Sequence, residues 1–406
     1  MTRRNAYLVL LIASGTIISL CMGVRQSLGL YMAPIMRDVG VSAATFGFAI
    51  ALQNIVWGIS QPIVGAVADR YGPRSVLLVT GAVFAAGILL MAMAGSPLSL
   101  HLSGFMIGLG IAGTGFGVVI GVVTRATAPE RRSRVVGVVS AAGSLGTMVL
   151  APLAQMLIDT YGWRGGLIGF VGIALAMTLL TLLIRDQPIA SIGPTVRHQS
   201  LRDALREAAQ HKGFIAMTLA YFACGFQLVF VVTHLPQYLE LCGISPTLGA
   251  SALGLIGLFN TIGTLLFGYL GDHYSQKRLV ALIYLLRTIA IILFVSLPIS
   301  AASTLVFASV IGFLWLGVAP LVTGIISRMF GLAHFSMLFG LSFMSHQVGS
   351  FIGAWMGGWV FDVTGTYDWA WVALVVIGTI AFTLQWTMDD RPAQPRGPLR
   401  GAPAAA

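Results

Sequence analysis

Charged residues are scarce in this 406-residue chain, where 9% of positions are Asp, Glu, Lys or Arg, 57% are hydrophobic and the mean hydropathy is +0.90. A soluble globular domain carries about 25% charged residues, so the composition excludes an ordinary soluble enzyme. The three cysteines, Cys21, Cys224 and Cys242, lack the spacing of a metal or redox site. A buried catalytic dyad and a phosphate-binding loop are also missing from the sequence, which therefore predicts neither an enzyme nor a bound cofactor.

Acidic residues are absent from the long apolar runs. A helix needs roughly 20 apolar residues to cross a bilayer, and twelve such runs lie near 7–35, 43–67, 75–96, 100–124, 133–158, 164–184, 214–239, 247–270, 279–297, 303–327, 335–361 and 369–388. All 13 Asp and Glu residues fall in loops, helix ends or tails. The predicted fold class is an all-α membrane protein with 12 transmembrane helices.

Basic residues are distributed unevenly between the loops. With the N-terminus in the cytoplasm, 19 of the 23 Lys and Arg residues fall on the cytoplasmic side, and only Arg37 and Arg164 fall on the other. The remaining two, Arg25 and Arg287, lie inside spans. This is the positive-inside distribution, which predicts cytoplasmic termini and attributes the net charge of +10 to topology rather than to nucleic-acid binding. Short loops and tails favour a bacterial inner membrane.

An internal repeat divides the chain. The stretch 65–74 after the second span returns in degenerate form at 268–278 after the eighth, and the same offset carries Arg125 onto Arg328 and Gly146 onto Gly349. Two pseudo-symmetric six-helix bundles related by an axis along the membrane normal are therefore predicted. The predicted domains are an N-terminal bundle over 1–184, a cytoplasmic linker with an amphipathic helix over 185–213, a C-terminal bundle over 214–388 and a disordered cytoplasmic tail over 389–406.

The Gly-x-x-x-Asp-Arg-x-Gly-x-Arg element at 65–74, its second copy, the twelve spans and the central loop resemble the major facilitator superfamily of secondary transporters. The resemblance implies alternating access to one central site, lined by spans 1, 4, 7 and 10. It also implies a gating contact at this element that favours the outward-open state, although a polar turn that fixes topology is the simpler alternative. The predicted gating residues are Asp69, Arg70, Arg74, Asp272, Arg125 and Arg328, with Asp69 and Asp272 as partners for the last two arginines.

Arg25 is the most informative single residue, because it lies mid-way along the first span. An unpaired charge there costs at least ~2.5–3.5 kcal/mol, and a guanidinium is a fixed fork of donors suited to a carboxylate. The alternative is an arginine bound to helix carbonyls or extended towards the membrane surface. Arg287, mid-way along the ninth span, has two equal interpretations: substrate contact, or a structural bridge to a polar group such as Asn260.

Polar and aromatic side chains at helical spacing complete the predicted site, although interhelical hydrogen bonds explain many such residues. The predicted substrate-binding residues are Arg25, Gln227, Asn260, His346, Tyr31, Tyr221, Gln53, Asn54, Arg287 and Trp315. His234 and His346 are the candidates for proton coupling because histidine titrates near neutral pH. A packing role for either histidine, or a proton carried by the substrate carboxylate, remains open.

Within the superfamily the chain resembles monocarboxylate and oxalate/formate-type carriers. Arg25 stands where monocarboxylate carriers place a lysine, 131–143 resembles their basic-then-small-residue signature, and embedded acids are absent. Their span-8 arginine is missing, since 260–268 is uncharged. The predicted function is secondary active transport of a small organic anion, with a monocarboxylate expected, by proton symport or anion exchange in a monomer. A proton-coupled efflux pump for a hydrophobic drug-like compound is the alternative.

Overall fold

The structure, a computed structural model, describes residues 3–127, 132–184, 201–331 and 335–392. Most of these residues form α-helices, because long apolar segments in a bilayer must satisfy their backbone hydrogen bonds internally. The helices are α1 (Arg3–Ser27), α2 (Met32–Val39), α3 (Ala43–Tyr71), α4 (Pro73–Ala92), α5 (Pro97–Thr114), α6 (Phe116–Ala126), α7 (Arg132–Leu180), α8 (Leu201–Gln210), α9 (Lys212–Leu241), α10 (Pro246–His273), α11 (Gln276–Ser296), α12 (Ala301–Phe313), α13 (Val318–Phe330), α14 (Phe335–Thr364) and α15 (Asp368–Thr387). Two short 3-10 helices, Leu28–Tyr31 and Thr181–Leu183, extend α1 and α7.

These helices make twelve membrane spans, as the sequence predicts. Ten segments are long and apolar enough to cross a membrane. One of them, Gly137–Leu183, holds two spans, because Gly162 (φ 70°, ψ 172°) interrupts α7 and lets Gly169 pack back against Leu157. The 30-residue helix α14 is the eleventh span in chain order and brings their number to twelve. α8, which lies between the two halves of the chain, is polar and is not a span. The first part of the predicted linker, 185–200, lies outside the described residues.

Three of the spans are interrupted. In the first, a 3-10 turn joins α1 to α2; in the fourth, Gly115 separates α5 from α6; in the tenth, residues 314–317 separate α12 from α13. The interruptions in the fourth and tenth spans occupy equivalent places in the two bundles, about one repeat length apart. The sequence did not predict them, because glycine is frequent in every span and carries no separate signal at these points.

Each bundle packs its spans through glycines that the repeat relates. α1 approaches α7 where a Cβ added to Gly23 would lie 2.6 Å from the carbonyl oxygen of Gly146. α14 approaches α9 where a Cβ on Gly349 would lie 2.1 Å from the carbonyl oxygen of Phe222. Gly146 and Gly349 are the pair that the sequence repeat brings into register. Small residues that allow close backbone approach are a common packing device in membranes.

The two bundles meet along α3 with α14 and along α7 with α10. We call the end of the molecule where α1 begins and α15 ends the terminus face, and the other end the opposite face. On the opposite face Arg37 forms an ion pair of 2.9 Å with Glu240, and the Asp362 carboxylate accepts hydrogen bonds from the first two amides of α3, Ala43 (3.0 Å) and Ala44 (2.8 Å). Both interactions join the bundles, so the opposite face is closed.

Closure ends near the middle of the membrane. Hydrogen bonds, ion pairs and ring contacts between described residues of the two bundles lie on the opposite face and in the middle of the spans, where the rings of Trp57 and Phe343 have centroids 5.4 Å apart. Beyond this level the inner halves of α3 and α14 carry partly exposed side chains. The described part of the chain is therefore closed on the opposite face and open between the bundles on the terminus face.

Candidate functional site in the centre of the membrane

Arg25 lies near the C-terminal end of α1, between the bundles and only partly buried. Its Nη2 donates a hydrogen bond of 2.6 Å to Asn54 Oδ1, and its Cζ lies 5.0 Å from the centre of the Trp57 ring. A guanidinium has five N–H donors. Its Nε is buried and finds no hydrogen-bond partner among the described residues. The side chain therefore keeps donor capacity that the described residues do not use, and the residue as a whole is partly exposed between the bundles.

Asn54 is held in the orientation that presents its oxygen to Arg25. Its Nδ2 donates to the carbonyl of Ile50 one turn earlier on α3, at 2.8 Å. The backbone carbonyl of Asn54 accepts a hydrogen bond of 2.9 Å from Gln347 Nε2 on α14. The residue thus supports Arg25 and joins the two bundles at the level of the candidate site.

His346 belongs to the same cluster through Gln347. Its Nδ1 lies 3.1 Å from Gln347 Oε1, and because the Gln347 amide nitrogen already donates to Asn54, this oxygen is the acceptor and Nδ1 carries the hydrogen. The imidazole stacks on Phe343 at 5.6 Å with an angle of 7° between the planes, and lies 5.0 Å from the Tyr221 ring. The predicted residues Arg25, Asn54, His346 and Tyr221 are therefore brought together.

Arg287 lies in a different environment. Its side chain is 0% exposed, and its Nη2 donates to the carbonyls of Leu314 (2.7 Å) and Trp315 (3.1 Å), inside the interruption of the tenth span. Its Nη1 donates to Gln227 Oε1 at 3.4 Å, and Gln227 in turn donates to the carbonyl of Leu374 on α15 at 3.0 Å. The predicted residues Arg287, Gln227 and Trp315 thus form a second cluster within the C-terminal bundle.

Asn260 is not the partner of Arg287 that the sequence suggested. Its Oδ1 accepts hydrogen bonds from the Leu316 amide (2.9 Å) and from the Thr264 hydroxyl (3.2 Å), and its Nδ2 donates to Ser144 of α7 at 2.8 Å. Asn260 is 2% exposed. Asn260 and Gln227 were both expected to complete the site of Arg25, but in this structure their described hydrogen bonds are made elsewhere.

Three other predicted residues are buried. Tyr31 packs edge-on against Phe170 with ring centroids 5.8 Å apart. Gln53 lines a small void beside Arg25, on the side towards the opposite face. His234 is 0% exposed, and its two ring nitrogens lie 2.7 Å from the carbonyl of Ala354 and 3.2 Å from the Tyr367 hydroxyl. The surroundings of His234 are those of a hydrogen-bonded packing residue.

The predicted gating residues lie at the terminus face. The Asp69 side chain is outside the described part of the structure, so the contact proposed for it remains a prediction. Arg328 contacts Asp390 at 3.4 Å and Gln276 at 3.3 Å rather than Asp272, which is exposed. Asp390 also lies 3.9 Å from Lys277. The beginning of the predicted disordered tail is thus packed on the C-terminal bundle, whereas 393–406 lie outside the described residues.

The remaining predicted gating residues, Arg70, Arg74 and Arg125, have exposed side chains at helix ends.

Three residues of the central cluster are not among the predicted substrate-binding residues. Trp57 contacts Arg25 and donates from its indole nitrogen to Gln61 Oε1 at 2.5 Å. Phe343 packs against Trp57 and His346, and Gln347 connects His346 to Asn54. The polar spacing of Gln53, Trp57 and Gln61 on α3 was a signal for Trp57, whereas nothing separates Phe343 from the other phenylalanines before the helices are packed.

Comparison with known proteins agrees with this architecture. The Major Facilitator Superfamily family model matches residues 14–331 and 243–405. The chain belongs to the Major Facilitator Superfamily. This member is 28% identical to monocarboxylate transporter 13 of Rattus norvegicus over 363 residues, covering 87% of this chain and 82% of the relative. It is 24% identical to the oxalate:formate antiporter of Oxalobacter formigenes over 403 residues, covering 96% of this chain and 92% of the relative.

Solved structures support the same fold. The nucleoside transporter NupG superimposes with a TM-score of 0.78 at 14% identity, covering 94% of this chain and 99% of NupG. A bacterial homolog of the human lysosomal transporter Spinster superimposes with a TM-score of 0.76 at 18% identity, covering 95% and 98%. The family model and the relatives described as transporters make this superfamily member a multi-pass membrane transporter rather than an enzyme.

Proposed function

We propose that this transporter carries a small organic anion, with a monocarboxylate as the expected class, by alternating access to the cluster around Arg25. The proposal rests mainly on the exposure and the hydrogen bonding of the Arg25 side chain. Arg25 is partly exposed between the bundles, has an unpartnered Nε and binds a neutral asparagine rather than an acid. A charge in this position is costly unless it is compensated, and a carboxylate supplies both the charge and the acceptors.

Two further findings support an anionic substrate. All 13 acidic residues lie in loops, helix ends or tails, so the membrane interior carries only basic formal charge. The relatives with similar sequences include proteins described as monocarboxylate transporters and an oxalate:formate antiporter. His346 and Tyr221 belong to the proposed site because they lie in the same cluster, whereas the contacts of Arg287, Gln227 and Asn260 favour a structural role.

Orientation and coupling are also part of the proposal. The basic loops favour cytoplasmic termini in a bacterial inner membrane, so the opening on the terminus face would be the cytoplasmic one. Transport would be coupled by proton symport or by anion exchange. The terminus-face arginines Arg70, Arg125 and Arg328 would then act in closing the cytoplasmic side.

Thermal unfolding of the purified transporter tests the substrate class. The panel contains acetate, benzoate, oxalate, a neutral sugar and a lipophilic cation. A ligand present at about 100 times its dissociation constant adds about 2.7 kcal/mol of stability, which a melting curve resolves. We expect stabilisation by a carboxylate in the wild type and none in Arg25→Gln. Stabilisation by the lipophilic cation alone would favour the efflux-pump alternative and overturn the proposal.

A further inference from the structure

We propose that the transported anion is a planar aromatic monocarboxylate, with its carboxylate on Arg25 and its ring against the side chains of α14. This inference rests on the proposed function and narrows it. It comes from the composition of the cavity wall, in which one cation stands beside a continuous group of aromatic rings. We call Trp57, Tyr221, Phe339, Phe343 and His346 the ring wall.

The ring wall is continuous. On α14, Phe339 stacks on Phe343 with centroids 6.3 Å apart and planes 19° from parallel, and Phe343 stacks on His346 at 5.6 Å and 7°. Trp57 meets Phe343 edge-on at 5.4 Å, and Tyr221 lies 5.0 Å from His346. Three nearly parallel rings thus follow one helix face, with a further ring on each side.

This face of α14 points into the cavity rather than towards lipid. The lipid-facing stripe of the helix is marked by Leu341, Val348 and Trp355, which are 46%, 37% and 40% exposed. At 100° per residue, Phe343 and His346 lie roughly on the other side of the helix. Both are nevertheless partly exposed. Side chains that are partly exposed and directed away from lipid line the space between the bundles.

The charge count favours one carboxylate. Arg25 is partly exposed between the bundles, whereas Arg287 is fully buried and its two terminal nitrogens donate to two carbonyls and to Gln227. A dicarboxylate would place its second charge in a low-dielectric site without a second available cation among the described residues of the spans. The remainder of the substrate is therefore expected to be uncharged.

Trp57 connects the positive charge of Arg25 with the aromatic rings of α14. Trp57 contacts both the Arg25 guanidinium, at 5.0 Å, and the Phe343 ring, at 5.4 Å. One side chain therefore contacts both the guanidinium and the stacked rings. Aromatic pairs gain about 0.5–1.5 kcal/mol beyond their buried area. A flat ring attached directly to a carboxylate can bind the guanidinium and also pack against the aromatic rings. A short aliphatic acid can bind only the guanidinium.

The test is a binding comparison on the full-length transporter in lipid nanodiscs, by calorimetry or by thermal shift. The probes are benzoate, cyclohexanecarboxylate as the saturated ring of similar size, propionate, and benzamide as the uncharged ring. We expect benzoate to bind about 3- to 10-fold more tightly than cyclohexanecarboxylate, the range that corresponds to the aromatic contribution. Propionate is expected to bind more weakly than both, and benzamide is not expected to bind.

Phe343→Leu keeps an apolar side chain but removes the ring, so we expect it to bring the benzoate and cyclohexanecarboxylate affinities to within about two-fold of each other. Phe105→Leu is the matched control, because Phe105 faces lipid on α5 with 47% exposure. Equal affinities for benzoate and cyclohexanecarboxylate in the wild type, or an unchanged preference in Phe343→Leu, would overturn this inference alone. Failure of every carboxylate to bind would instead overturn the proposed function.

Discussion

The two arginines inside the membrane differ in what surrounds them. Arg287 is enclosed and donates to Leu314, Trp315 and Gln227. Arg25 is partly exposed and donates to Asn54 only, by the hydrogen bonds described. A buried charge persists when its donors are used within the protein or when a ligand uses them. The contacts therefore support a structural role for the first arginine and substrate binding for the second.

Stability measurements can separate these roles. We expect Arg287→Leu to lower the free energy of unfolding by about 1–3 kcal/mol or more, because it leaves buried acceptors unpaired. Arg25→Gln should leave stability without ligand close to that of the wild type, because the loss of one hydrogen bond to Asn54 is offset by removal of a charge from the membrane interior. The measurement is thermal unfolding in detergent without added anion. If Arg25→Gln destabilises the protein as much as Arg287→Leu, Arg25 is a structural residue.

The two candidate histidines differ in access to water. His346 is partly exposed to the cavity, whereas His234 is fully buried between Ala354 and Tyr367. A group that exchanges protons with substrate must reach the cavity. If transport is proton-coupled, we expect His346→Gln to flatten the dependence of uptake on pH between about 5 and 8, where histidine changes charge.

His234→Gln is the matched variant for this experiment, and it should keep the wild-type pH profile while lowering thermal stability. Uptake into proteoliposomes at a series of external pH values makes the comparison. A flat profile in His234→Gln together with a wild-type profile in His346→Gln would reverse the assignment. An unchanged profile in both variants would favour a proton carried by the substrate.

At the scale of elements, the interruption of the tenth span is held from two sides. Arg287 donates hydrogen bonds to two backbone carbonyls of the interruption. Asn260 accepts a hydrogen bond from the Leu316 amide in the same segment and donates one to Ser144 of the other bundle. Polar groups freed at a helix break in a membrane need partners of this kind. The sequence identified both side chains as unusual in a span, but it could not show their partner, because the break is visible only in the folded backbone.

The N-terminus of α3 is an element-level contact between the bundles. The Asp362 carboxylate accepts from two amides there, and an acid at a helix N-terminus is stabilised by the unpaired amides and the helix dipole. We expect Asp362→Asn to weaken closure of the opposite face. Spin labels at Leu98 and Leu297, which are 66% and 55% exposed at that face on different bundles, should move apart in part of the population.

Asp159→Asn is the control for this measurement, because Asp159 is the repeat equivalent of Asp362 and accepts a hydrogen bond of 2.8 Å from Gln155 on its own helix. The label distances in Asp159→Asn should match those of the wild type. Identical distance distributions in Asp362→Asn and the wild type would show that the cap does not contribute to closure.

At the scale of the whole molecule, the sequence predicted the features that the membrane imposes. Span length, basic loops and the repeat that relates Gly146 to Gly349 are local or periodic signals, and the twelve-span fold follows from them. The composition of the candidate site depends on how the helices rotate against each other. Arg25, Asn54 and His346 were predicted as site residues and belong to one cluster. Gln227 and Asn260 were also predicted, but they form hydrogen bonds with other residues. The sequence shows that a residue in a span is polar, but it does not show which residue it will contact.

Binding of a carboxylate by Arg25, at one site between the two bundles, is the step on which the proposed transport depends. Flux of radiolabelled benzoate and propionate into proteoliposomes tests it most directly, with wild type, Arg25→Lys and Arg25→Gln reconstituted to equal density. We expect saturable uptake by the wild type, weakened uptake in Arg25→Lys because the fork of donors is lost, and none above empty vesicles in Arg25→Gln. Undiminished uptake by Arg25→Gln would contradict it.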